Sequence, residues 1–173
     1  MPDRLIRGRR VENDVWKVVG LQADEDLSQL PAGPVLVPLA VWKSRRDELL
    51  ARGAPFGVWL HADDEPAELA GDLDRLAQVA VHFPKFGDGR GYSVGALLRT
   101  RYGYRGELRA FGDIGRDHLF CLARCGFDAF RLADHRDPVD ALAAFNDFSL
   151  RYQGSADDPQ PLFRKRIAEI ARQ

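Results

Sequence analysis

From residue 35 onward the chain repeats one pattern: a short apolar run, an amphipathic stretch, then a glycine or proline stop. Val35-Leu36-Val37-Pro38 runs into Leu39-Ala40-Val41-Trp42, a block of charges and Leu49-Leu50, and stops at Gly53. Such a run predicts a buried strand, and the stretch after it a helix. Phe56-Gly57-Val58-Trp59-Leu60 is the second strand. Asp63-Asp64-Glu65-Pro66 predicts a helix start, because acids favour the positive end of the helix dipole and proline fits the first turn. Leu69, Leu73 and Leu76 would face inward from that helix. The third strand is Val79-Ala80-Val81-His82-Phe83, and Tyr92 to Tyr102 is a helix with Val94, Leu97 and Leu98 inward and Gly103 ending it. Glu107 to Phe111 is the fourth strand, Arg116 to Arg124 a helix capped by Gly126, and Phe127 to Leu132 the fifth strand. Asp137-Pro138 opens the last core helix, with Leu142, Phe145 and Phe148 inward.

Five strand–helix units in strict alternation predict an α/β fold with a parallel sheet. Two closures fit, a partial (β/α)-barrel and a flavodoxin-like open sheet. The joints Tyr104-Arg105-Gly106-Glu107 and Arg124-Cys125-Gly126-Phe127-Asp128 tilt the reading toward the partial barrel. Its uncovered edges and inward faces favour a homodimer or a permanent partner. Residues 1–34 read as an N-terminal β arm and connector: Leu5-Ile6 and Val11 flank a turn at Gly8, Val15 to Val19 has strand character, and 20–34 is polar with two prolines. The repeat occupies 35–153. Residues 154–173 form a polar tail with a short helix near Phe163 to Ala171.

Composition narrows the class. At 173 residues with 45% apolar and 29% charged positions, the chain is long enough for one domain with a real core. A net charge of −1 argues against a dedicated nucleic-acid binder, which needs a basic surplus. No apolar run reaches the roughly 20 residues of a membrane helix, so a membrane partner is not expected, and Met1-Pro2-Asp3-Arg4 has no apolar stretch behind it, so a secretory signal is not expected either. With Cys121 and Cys125 as the only cysteines, the expected compartment is cytoplasmic, and a Cys₄ iron–sulfur cluster within one chain is excluded. His118, Cys121 and Cys125 share a helical stripe, but three ligands over two turns do not converge on one tetrahedral ion, so no metal site is assigned. The expectation there is that the thiols pack as small apolar groups.

In either closure the site lies at the carboxyl ends of the strands. That rule gathers Lys43, Arg45 and Arg46; His61, Asp63 and Asp64; Lys85, Asp88 and Arg90; Asp113, Arg116, Asp117 and His118; and Asp134, His135 and Arg136. The loop Phe83-Pro84-Lys85-Phe86-Gly87-Asp88-Gly89-Arg90-Gly91-Tyr92-Ser93 stands out, with three glycines in five residues beside two cations. One reading is an anion cradle, with Lys85, Gly89, Arg90 and Gly91 joined by Arg116 and with Asp88 and Asp113 as acid/base groups. The other is a tight loop in which Asp88 caps the helix and pairs with Arg90, while Asp113 caps the next one. His61 with Asp63, Asp64 and Glu65 could hold a divalent cation, or simply start a helix. The loop is neither Gly-x-Gly-x-x-Gly nor a P-loop, no Gly-x-Ser-x-Gly surrounds Ser93, and the residues name no cofactor and no complete catalytic motif.

The glycine loop, the block Leu98-Arg99…Arg101-Tyr102-Gly103-Tyr104-Arg105-Gly106-Glu107-Leu108-Arg109-Ala110, and Arg124-Cys125-Gly126-Phe127-Asp128-Ala129-Phe130 together resemble the bacterial domain-of-unknown-function family 934 over about residues 10 to 153. His118 and Cys121 depart from the Gln-like and Tyr-like residues of that family. The resemblance implies an association with the sulfite reductase hemoprotein in assimilatory sulfur metabolism, and a role as an accessory or partner protein of sulfite reduction. Two alternatives stay open beside it. One is an independent α/β enzyme acting on a small anionic metabolite. The other is a structural dimeric domain with no small-molecule site.

Overall fold

Strand order follows chain order with no reversal in the parallel part of the sheet. In the computed structural model, which describes residues 4–170, the strands are β1 (Arg4–Arg7), β2 (Arg10–Asn13), β3 (Lys17–Val18), β4 (Val35–Pro38), β5 (Phe56–Leu60), β6 (Gln78–Phe83), β7 (Glu107–Gly112) and β8 (Ala129–Arg131). They form one sheet ordered β2-β1-β8-β7-β6-β5-β4-β3. Strands β3 to β8 are parallel, each beside its successor, and the β1–β2 hairpin adds antiparallel to β8. A flavodoxin-like sheet requires a reversal of strand order. Its absence leaves the barrel-like closure and corrects the open-sheet alternative.

The sheet must also curl. Strands β2 and β3 lie at opposite edges, yet only Asp14, Val15 and Trp16 join them. Eight flat strands would hold those edges about 34 Å apart, whereas so short a link reaches about 14 Å. The result is a curled half-barrel with the 14–16 segment crossing its hollow side. That crossing also limits the ladder here to Lys17–Val18, where Val15 to Val19 reads as strand.

All regular connections pass over the convex face. Helices α1 (Leu39–Ala51), α2 (Arg90–Thr100), α3 (Arg116–Arg124) and the short α4 (Pro138–Ala141) cover it; a terminal α5 spans Leu162–Ile170. The main core joins Val35, Val37, Val58, Leu60, Val79, Val81, Leu108 and Phe130 from the strands to Trp42, Leu49, Leu98, Leu119 and Leu122 from the helices. The 63–76 stretch is not a helix but two 3₁₀ turns, Pro66–Leu69 and Leu73–Arg75. Gly71 and Asp72 interrupt it, and Arg46 grips the Asp72 carboxylate with two donors at 2.9 and 2.5 Å. Leu69, Leu73 and Leu76 are buried all the same.

Three inward positions need correction, the first being Leu97, which α2 leaves exposed while it buries Val94 and Leu98. The last core helix ends as a 3₁₀ turn at Asn146, so Phe148 falls out of phase; it is exposed and meets Phe120 at the surface, ring centroids 4.8 Å apart. Helix α3 buries His118, Leu119 and Leu122, a phase that leaves Cys121 exposed. The N-terminal residues Met1 to Asp3 and the Ala171 end of the tail helix lie outside the described residues. No helix among the described residues is long and apolar enough to cross a membrane.

Candidate functional site

The hollow face is built in layers set by strand register. Its lowest row runs Gly57–Gln78–Glu107, where Gln78 and Arg7 both donate to Glu107. The middle row is Trp59–Ala80–Arg109–Ala129. Two alanines flank Arg109 and leave room for Asp14, which arrives on the crossing segment and accepts from Arg109 at 3.1 Å and again through its second oxygen. Both side chains are wholly buried. Burial pushes the Arg109 pKa down and Asp14 opposes the shift. Trp59 donates its indole N–H to the Val19 carbonyl at 2.8 Å.

The top row lies at the carboxyl ends of the strands. His82 pairs with Phe111 and Phe111 with Arg131. His61, the residue after Leu60, falls opposite His82, because Leu60 registers with Val81. The two imidazole centroids are 5.9 Å apart, and His82 stacks on Phe111 at 5.0 Å. Buried Trp59 and Phe111 form the floor. Among the described residues the buried Nδ1 of His82 has no partner, and burial, followed by the neighbouring His61, lowers the pKa of this histidine.

The glycine loop sits at the same rim and is held by its neighbours. Asp113 donates its backbone N–H to the Phe83 carbonyl at 2.7 Å, and its carboxylate accepts from the Phe86 amide at 3.0 Å. The Nδ1 of His118 accepts from the Gly115 amide at 3.1 Å, which leaves Nε2 to donate to the Phe86 carbonyl at 3.0 Å. Asp113 and His118 thus brace the loop from the end of β7 and the start of α3. Arg90 donates to Asp88 at 3.0 and 2.7 Å and also pairs with Asp63. This contact holds the Asp88 carboxyl down at about 2 and raises the Arg90 pKa. Arg116 turns away from the loop to Asp147, at 2.7 Å. Lys85 makes no ion pair among the described residues. Gly89 has open space where a side chain would be, whereas a Cβ on Gly91 would come within 2.6 Å of the Phe83 ring. Gly91 therefore serves close packing of helix on sheet.

The other two sequence blocks act at the opposite, amino-terminal end. Arg99 donates to the carbonyls of Gly126, Tyr104 and Gly106, each at 2.8 Å, and to Asp128 at 2.8 Å. Asp128 also accepts from the Leu108 amide at 2.8 Å. One guanidinium thereby ties the end of α2 to the entries of β7 and β8. Residues 57–163 match the family described as "Bacterial protein of unknown function (DUF934)", more than half of the chain. The chain belongs to that family. The matched span holds the whole glycine loop, the Arg99 hub and the top row. No curated protein matches the chain.

Sequence reasoning placed His61 at the rim but missed His82, Phe111 and Arg131 as its companions. The signal was present as alternation. A parallel strand buried on both faces reads as continuous apolar residues, yet one face of Gln78-Val79-Ala80-Val81-His82 carries polar side chains at both ends, Gln78 and His82, and polar side chains stand again at Glu107 and Arg109 and at Arg131. Among the described residues no group of three or more His, Cys, Asp or Glu side chains could hold a metal ion.

Proposed function

We propose that this chain is an accessory protein of assimilatory sulfite reduction that docks on the sulfite reductase hemoprotein. The resemblance of its three sequence blocks supports the pathway. The observation that carries the docking is an exposed apolar surface formed by the C-terminal segment of the described residues. On α5, Phe163, Ile167 and Ile170 recur at i, i+4 and i+7, and all three are more than half exposed. Phe148, Leu150 and Tyr152 precede them, exposed to a similar degree. The Tyr152 carbonyl accepts from the Leu162 amide at 3.1 Å, which joins the two segments. Apolar surface of this kind marks interaction sites, and Arg164 and Arg166 beside the stripe suit a partner with an acidic rim.

The test is co-purification of the full chain with the hemoprotein, together with growth of a deletion strain on sulfate. Association and impaired growth are expected. Normal sulfite reduction with no association overturns the reading, and self-association through the same face would favour the structural homodimer. A second reading, an enzyme acting on a small anionic metabolite through Lys85, Arg90 and Arg116 with Asp88 and Asp113, draws support from the rim position of the glycine loop. The pairing of Arg90 with two carboxylates weighs against it.

A further inference from the structure

We propose that β2 is a dimerisation edge, along which two copies of this chain pair antiparallel and join their sheets across a two-fold axis at Val11. The inference is independent of the hemoprotein partnership, since it concerns the purified chain alone and a different surface.

The backbone is the first argument. Strand β2 ends the sheet, with β1 as its neighbour on one side. Gly8 and Arg9, at φ 53° and 64°, form the two-residue turn that closes a tight hairpin. Pairing then runs without a bulge through Arg7–Arg10, Ile6–Val11, Leu5–Glu12 and Arg4–Asn13. The pair that closes such a turn exchanges both hydrogen bonds, so alternation turns the backbones of Arg10 and Glu12 toward β1 and those of Val11 and Asn13 outward. The other side of β1 agrees, because the Gly8 amide donates to the Asp128 carbonyl at 3.3 Å and Ile6 stands opposite Phe130. Among the described residues no backbone hydrogen bond from outside the hairpin reaches Val11 or Asn13. Edges that avoid pairing carry a proline, a bulge or charge of one sign. Strand β2 has neither proline nor bulge, and its two charges are of opposite sign.

Charge complementarity is the second argument, and it selects a second copy as the occupant. In a two-fold contact the register decides which residues meet. A register centred between residues sets an outward backbone against an inward one and makes no ladder. Centring on Arg10 or on Glu12 opposes like charges, and centring on Asn13 brings Glu12 against Asp14. Centring on Val11 sets Arg10 opposite Glu12 of the other copy, twice. The same register makes Val11 the hydrogen-bonded pair, as its outward backbone requires, and puts the Arg10–Glu12 pairs at the closer, non-hydrogen-bonded positions. Both partners are available. Arg10 is exposed and makes no ion pair among the described residues. Glu12 accepts from Arg7 at 2.9 Å through one oxygen and has the other to offer. On the opposite face Val11 is half-buried against the main core, and a second Val11 across the axis would extend its cover.

A four-residue ladder is shorter than a standard interface, so a reversible dimer of micromolar strength is expected. The experiment is analytical ultracentrifugation of the full chain from low to high micromolar concentration, with amide hydrogen exchange followed in parallel. A monomer–dimer equilibrium is expected, in which the Val11 amide gains protection as concentration rises while those of Arg10 and Glu12 are protected throughout. Arg10→Glu should weaken the dimer at least tenfold at unchanged thermal midpoint, because a glutamate there still faces Arg7 across the hairpin. Arg10→Glu combined with Glu12→Arg recreates the complementary pairs and should restore most of the association. Ile167→Glu, on the C-terminal face, should leave the dimer unchanged. A chain that stays monomeric at every concentration, undiminished association in Arg10→Glu, no recovery in the charge-swapped variant, or loss of the dimer in Ile167→Glu would each overturn the proposal.

Discussion

Three side chains on the hollow face, His82, Asp14 and Arg109, carry most of the testable chemistry at the residue scale. His82 has its pKa lowered by burial and by His61. Its unfolded value is about 6.5, so between that value and the lower folded one the unfolded chain binds more protons. Stability is therefore complete above about pH 7.5 and falls as pH drops through 6.5. A urea midpoint measured from pH 8 to pH 5 should decline in the native chain and decline less in His82→Gln; identical slopes would remove His82 as the cause. Asp14 and Arg109 form a fully buried pair. Removing one partner strands a charge, so Asp14→Ala should cost about 3–5 kcal/mol, whereas Asp14→Leu with Arg109→Met should cost far less. Equal losses by urea unfolding in the two variants would mean that packing, and not charge, dominates. Neither pairing is visible in the sequence. Asp14 and Arg109 are 95 positions apart, and nothing local shows that the 14–16 segment crosses the sheet.

At the scale of elements, the sequence was legible wherever a local pattern decided the outcome. The apolar runs mark β4 to β8, the charged and leucine-bearing stretches mark α1 to α3, and Gly126, at φ 96°, ends α3 as its position implies. Failures came where tertiary contacts overrode the local pattern. The leucines of 69–76 kept their burial but lost their helix to Gly71 and to the grip of Arg46 on Asp72. The glycine loop was legible as a rim element. What its glycines do was not, because packing partners come from distant strands. Gly91 and Gly95, one turn apart on α2, lie against the rings of Phe83 and Phe127. A methyl group at either position must displace a buried ring. Gly95→Ala should therefore destabilise the fold by about 1–3 kcal/mol despite the better helix propensity of alanine. A thermal midpoint at or above the native one would refute that packing role.

The whole molecule combines a curled half-barrel, sealed on its convex side by helices, with an apolar C-terminal face and a row of two histidines, a phenylalanine and an arginine at its open mouth. The alternation of strands and helices predicted a parallel sheet but left two closures open, with only the joints at 104–107 and 124–128 favouring the partial barrel; the curl itself was not legible, since it is fixed by a three-residue link between edge strands. The C-terminal face was read as a polar tail with a short helix, and only the orientation of α5 exposes Phe163, Ile167 and Ile170 together. If that face docks on the sulfite reductase hemoprotein, a charge in its centre should undo the complex without disturbing the half-barrel. The most direct measurement is calorimetric titration of the hemoprotein into the full chain, native and Ile167→Glu side by side. Saturable association by the native chain, weakened at least tenfold in Ile167→Glu at unchanged thermal stability, is the predicted result. No association by the native chain, or equal association by both, would contradict it.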